Sequence, residues 1–156
     1  MPRRGTAKQR EIPPDPVFGS ILVTRIINKI MMQGKKSVAE RTFYGMIEIV
    51  ADRSEREPLE VLTEALNNIM PLVEVRARRV GGSTYQVPME VRPSRRLSLG
   101  IRWLLDAARK RSERNIVDCL ANEVLEAAKS EGGAVARKEE VQRMAEAGRA
   151  FAHYKF

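Results

Sequence analysis

This chain of 156 residues has one cysteine, one histidine and one tryptophan, and aromatic residues make up 5% of it. A single cysteine excludes an intrachain disulfide. Cys119 falls within an apolar-periodic run, so a small buried hydrophobe is expected there, not a reactive thiol. One histidine near the chain end, no cluster with metal-ligand spacing and no phosphate-cradling glycine loop argue against an enzyme. No cofactor, metal or small-molecule substrate is therefore expected. No apolar run approaches membrane-spanning length, because Ile21 to Met32 is interrupted by Thr24, Arg25, Asn28 and Lys29. The first residues lack an apolar signal-peptide core. The expectation is a soluble cytoplasmic protein with no membrane partner.

What the chain does have is positive charge, unevenly placed. Between Arg76 and Arg114 stand eleven basic residues, ten of them arginine, against three acidic ones (Glu90, Asp106, Glu113). That segment carries a net +8, the formal charge of the whole protein. Arg3, Arg4, Lys8 and Arg10 add to it with no acid among the first ten residues, so the remaining chain is slightly acidic. A merely solvated face would intersperse both signs. Clustered arginine, with its planar five-donor fork, suits phosphate contact, and a pI near 10.1 points to a polyanionic partner.

The apolar pattern predicts one mainly α domain with a single β-ribbon. Residues 1–19, basic and then proline-rich, read as an extended arm poorly ordered without a partner. Residues 20–156 form the body. Ser20 is placed to cap a first helix using Val23, Ile26, Ile27 and Ile30, ended by Gly34. Ser37 and Glu40 read as a capping box for a second, with Ala39, Phe43, Met46, Ile47 and Val50 as its core stripe. Pro58 fits the first position of a third helix, which stops before Pro71. The period then becomes two. Val73, Val75 and Ala77 alternate with Glu74, Arg76 and Arg78; after Gly81-Gly82, Tyr85, Val87, Met89 and Val91 alternate with polar neighbours and Pro88. This is a hairpin over 73–92, and it must rest on the body or on a ligand. Helical period returns at Ser94 with Leu97, Ile101, Leu104, Leu105 and Ala108. A fifth helix, from about Ser112 to Ser130, places Ile116, Leu120, Val124 and Ala127 on one face. A sixth follows Gly132-Gly133, from about Lys138 to near His153.

On the fourth helix Arg95, Arg102 and Arg109 are spaced by seven and drift only ~20° per step, so they form one exposed line. Lys110 and Arg111 extend the basic run at the helix end. On the first strand Arg76 and Arg78 share a face, ~6.6 Å apart. Ribbon and helix join through Arg92 and Pro93, so their basic faces can form one surface that reads phosphate backbone and folded shape. Trp103, near Arg96 and Lys110 by helical phase, has two readings, core or base stacking. Tyr85 is divided evenly between hairpin packing and RNA contact. Phe151 is expected to pack on the body, while His153, Tyr154 and Lys155 are candidate contacts with RNA or a neighbouring protein. Lys35 and Lys36 read as part of the footprint rather than a solvated turn.

Taken in order, several segments resemble the bacterial and plastid small-subunit ribosomal protein seven family over nearly the whole chain. The most specific is Arg78-Arg79-Val80-Gly81-Gly82-Ser83-Thr84-Tyr85-Gln86-Val87-Pro88. Asn28-Lys29-Ile30 with Gly34-Lys35-Lys36, Arg102-Trp103-Leu104, Gly132-Gly133-Ala134-Val135, and Arg143-Met144-Ala145-Glu146-Ala147 through Ala152-His153-Tyr154 support it. The resemblance implies a six-helix body with a protruding ribbon between helices three and four. It implies a primary binder of the 3′ major domain of 16S ribosomal RNA that nucleates assembly of the 30S head. It further implies a place at the subunit interface, where the ribbon carrying Arg76, Arg78, Arg79, Gly81, Gly82 and Tyr85 approaches exit-site transfer RNA and the messenger path. Ribosomal proteins nine and eleven would be neighbours. The positions matching the family's RNA-binding surface are Lys35, Lys36, Arg76, Arg78, Arg79, Arg92, Arg95, Arg96 and Arg102, plus the arm. Some members repress their own messenger, and in an organelle the location would be the plastid stroma.

A DNA-binding regulator is the competing reading. The basic helix favours it; the exposed hairpin and the want of a short helix-turn-helix with a dimer seam oppose it. A purely protein-binding scaffold leaves the +8 segment unexplained.

Overall fold

The computed structural model describes Gly5 and residues 10–154, without the side chains of Val80, Ala152, His153 and Tyr154. Six α-helices and a two-stranded ribbon follow one another in the expected order. They are α1 (Ile21–Ile30), α2 (Lys36–Arg53), α3 (Pro58–Ile69), β1 (Val73–Val80), β2 (Ser83–Glu90), α4 (Pro93–Ala108), α5 (Ile116–Ala128) and α6 (Gly133–Ala147). A 3₁₀ segment, Gly148–Tyr154, closes the described chain.

The helical stripes bury as their spacing requires. Phe43, Met46 and Val50 of α2 meet Leu62, Leu66 and Ile69 of α3, Leu104 of α4, and Leu120 and Val124 of α5. Helix α5 is the hub, contacting α2, α3, α4 and α6. Cys119 is buried, and burial pushes its thiol pKa up, as expected of a core cysteine. Trp103 packs partly buried against the core cluster.

Several helix ends depart from expectation. No capping box forms at α2. Lys35 occupies the cap position without a side-chain bond, and Glu40 instead pairs with Lys36 at 3.5 Å. Ser20 stands at the α1 cap position but makes no cap hydrogen bond. Helix α5 begins at Ile116, four residues after Ser112, because Asn115 caps it by accepting from the Val117 N–H. Helix α6 begins at Gly133 rather than Lys138, because the buried Glu123 carboxylate accepts from the Ala134 N–H at 2.8 Å. It ends at Ala147 and not near His153. Ile116, placed in the core by its period, is instead 39% exposed.

The arm's inner part is anchored. Buried Asp15 accepts from the Val17 and Phe18 N–H groups and from the Tyr44 hydroxyl, at 2.8 Å from the last. Burial, then that hydrogen bond, pushes the Tyr44 pKa up to about 12. The Thr24 hydroxyl donates to the Pro13 carbonyl, and the Phe18 ring lies 6.2 Å from that of Tyr44. Arg3, Arg4, Lys8 and Lys155 lie outside the described residues.

Candidate nucleic-acid interface

The ribbon pairs in antiparallel register from Val73 opposite Glu90 to Val80 opposite Ser83. Its two-residue turn has Gly81 at φ +57° and Gly82 at φ +87°, the double left-handed geometry of a type I′ turn. An added Cβ would meet nothing at either glycine, so backbone conformation and not space selects them.

The ribbon's base is seated on the body. Both strands contact α6, and β2 also contacts the 3₁₀ segment. Gly148 lies so close to β2 that a Cβ there would come within 2.3 Å of the Gln86 carbonyl oxygen. The Tyr85 and Phe151 ring centroids lie 4.8 Å apart with their planes tilted by 43°. Tyr85, half-buried, thus packs against the C-terminal segment, and Phe151 packs on the ribbon where the helical body was expected.

In this register Glu74, Arg76 and Arg78 share a face with Tyr85 and Val87. Glu74 and Val87 are buried, so the arginine-bearing face is also the one that docks. Glu74 is the pivot. Its carboxylate accepts from Arg76 Nε and Nη2 at 3.0 and 2.8 Å, and from Arg95 Nε at 2.8 Å. Burial pushes its pKa up, but the hydrogen bonds from Arg95 and Arg76 outweigh that and the net direction is down. One buried anion therefore holds a strand arginine and a helix arginine together, each still half exposed. Alternation had placed Glu74 on the outward face of the strand; only the docking of α4 reveals it as a clasp.

Beyond the clasp, Arg95, Arg102 and Arg109 are all exposed along α4, as their spacing requires. Arg10, Lys35, Lys36, Arg79, Arg92 and Lys110 are exposed as well, as are Gly81 and Gly82, and Arg78 is half-buried. Arg96 turns away from this line. Its Nε donates to the Val91 carbonyl at 2.9 Å, and it borders a groove with Lys138 and Arg149 of the C-terminal part.

Arg111 does not belong to this surface. Its Nε donates to Glu113 at 2.9 Å, and Nη1 donates to Glu123 at 2.8 Å and to Glu126 at 2.7 Å. Nη2 completes the fork on Glu126 at 2.7 Å. Four of its five N–H donors are committed to three carboxylates, so Arg111 acts as an internal brace where an RNA contact was expected.

Two basic residues that the sequence marks as breaks in an apolar run stand beside this surface. Arg25 and Lys29 of α1 are exposed and line one cleft with Ser94, Leu97 and Ser98 of α4. Their i, i+4 spacing was legible; that α1 lies beside α4 was not. Among the described residues there is no metal-holding cluster, and no helix is long and apolar enough to cross a membrane.

Comparison with known proteins agrees with this architecture. The family described as Ribosomal protein S7p/S5e matches residues 2–149. The Small ribosomal subunit protein uS7 of Symbiobacterium thermophilum is 60% identical, and that of Caldanaerobacter subterraneus subsp. tengcongensis is 56% identical. Both similarities run over all 156 residues and the full length of each relative. With such identity over whole chains, the protein belongs to the Ribosomal protein S7p/S5e family, ribosomal proteins of the small subunit and not enzymes.

Proposed function

We propose that this chain binds the 3′ major domain of 16S ribosomal RNA through one basic surface and nucleates folding of the 30S head. The observation that carries this reading is the clasp of Arg76 and Arg95 on Glu74, which joins the ribbon to α4 without a flexible hinge. The surface runs from Arg10, Lys35 and Lys36 across Arg25 and Lys29 to Arg92, Arg95, Arg102, Arg109 and Lys110, all exposed. A rigid body holding many cations in fixed geometry offsets repulsion between RNA helices brought together. It thereby favours a folded junction that bare RNA populates poorly, a population shift with no covalent step. The distal ribbon, with Arg78, Arg79 and the Gly81-Gly82 turn, extends the surface toward exit-site transfer RNA and the messenger path. Ribosomal proteins nine and eleven are its neighbours, and the cytoplasmic ribosome is its location.

Titrating the protein with the 16S 3′ domain over a range of salt tests this. If ~6 phosphates are contacted, log K falls against log salt with a slope of about −4 to −5.5. Duplex DNA at the same salt should compete weakly. A slope near zero would remove the electrostatic basis, and equal competition by DNA would favour a DNA-binding role.

A further inference from the structure

The ends of four helices converge on an apolar cleft of about 330 Å³. Met32 after α1, Val38 of α2 and Ile116 of α5 line it and are 65%, 53% and 39% exposed. Ile116 lies on the period of its helix's core stripe yet is left uncovered, and Val38 precedes buried Ala39. Lys35 and Arg109 stand at the same cleft, Gln33 supplies an amide, and no acidic residue lines it. Gln33 sits at φ +55°, a left-handed conformation that a non-glycine residue seldom keeps.

We propose that this cleft seats a single unstacked nucleobase of the bound RNA. Resting on the reading above, the assignment adds a shape-selective contact to a surface otherwise made of phosphate contacts. The chemistry fits a nucleotide as a whole. Thioether and branched aliphatic groups cover a ring face, methionine sulfur packing well on aromatic rings. The Gln33 amide can both donate to and accept from a base edge. Lys35 and Arg109 complement the attached phosphate. Single-stranded loops and bulges, whose bases can splay out, are where RNA offers such a group. An acidic protein segment would satisfy the cations only if it also brought an aromatic or aliphatic side chain to the apolar floor.

The test uses the full chain and the 16S 3′ major domain RNA. Met32→Ser combined with Val38→Ser alters exposed positions and no charge. It should weaken binding ~10-fold at fixed salt while leaving the salt slope unchanged. Ile116→Ser, on a different helix, should act in the same direction. Dimethyl sulfate should then modify a base that the wild type protects, while hydroxyl-radical protection of the backbone persists. Wild-type affinity and base protection in both variants would overturn the seat and leave the phosphate-binding surface standing. A wild type that fails to bind the RNA at all would overturn both.

Discussion

Two sets of arginines, one along α4 and one just beyond its end, do opposite work. Arg102 and Arg109 stand exposed along the helix, whereas Arg111 is folded into a cage of Glu113, Glu123 and Glu126. Each of these arginines contributes one charge to the +8 of the segment. The difference lies in carboxylates that arrive from elsewhere in the chain, twelve and fifteen residues beyond Arg111. Charge density marks a polyanion-binding region, but only the internal counterions tell which cations remain available to it.

The widest separation between the two groups should appear in stability. Replacing Arg111 by Met leaves the nearly fully buried Glu123 without its cation, which should cost about 3 kcal/mol. A fall in Tm of ~6–12 °C is expected, with RNA affinity per folded molecule kept at the wild-type value. Lost affinity at unchanged Tm would reverse the assignment. Replacing Arg102 and Arg109 by Ala should do the opposite. Stability should hold within ~0.5 kcal/mol, while the salt slope of RNA binding flattens by about 1.4–1.8. A slope unaltered by the double change would place the phosphate contacts elsewhere.

The smallest effect separates the groups by pH. Hydrogen bonds from Asn122 and then Arg111 hold the Glu113 pKa down at about 2, against an ordinary 4.5. Glu126, bonded first by Arg111, is shifted the same way. A carboxylate with a depressed folded pKa contributes stability that is complete above its unfolded value and is lost as pH falls through the folded one. The denaturant midpoint should therefore decline between pH 4.5 and about 2, and Glu113→Gln should flatten that decline. Loss of Arg102 and Arg109, which hold no carboxylate among the described residues, should leave the pH profile unchanged. A profile insensitive to Glu113 would show that the cage contributes little.

The same contrast explains what could be read from residue order alone. The core stripes of α2 and α4 and the hairpin turn were legible because each depends on a local period or a local φ requirement. Arg95, Arg102 and Arg109 were legible for the same reason, since one helix defines their line. The start of α6 was not, because Glu123 of α5 accepts from the Ala134 N–H in its first turn. Glu74 read as an outward strand residue until α4 supplied Arg95. Arg111 read as one more cation, and the α1 pair Arg25 and Lys29 read only as breaks in an apolar run until two helices were set side by side. Each miss is a property decided by a partner distant in the chain.

The close fit of Gly148 against the Gln86 carbonyl has a consequence for the order in which the molecule takes shape. Chains emerge from their amino end, so the ribbon strands leave the ribosome about sixty residues before the segment that clamps them. Until Gly148 and Phe151 arrive, the newborn hairpin lacks its backstop and the Tyr85 ring lacks its partner. A two-stranded ribbon without such support is marginally stable in water. The last-made turn of the described chain is thus its latch, and a protein released before Gly148 would have a formed helical core and an unfastened ribbon.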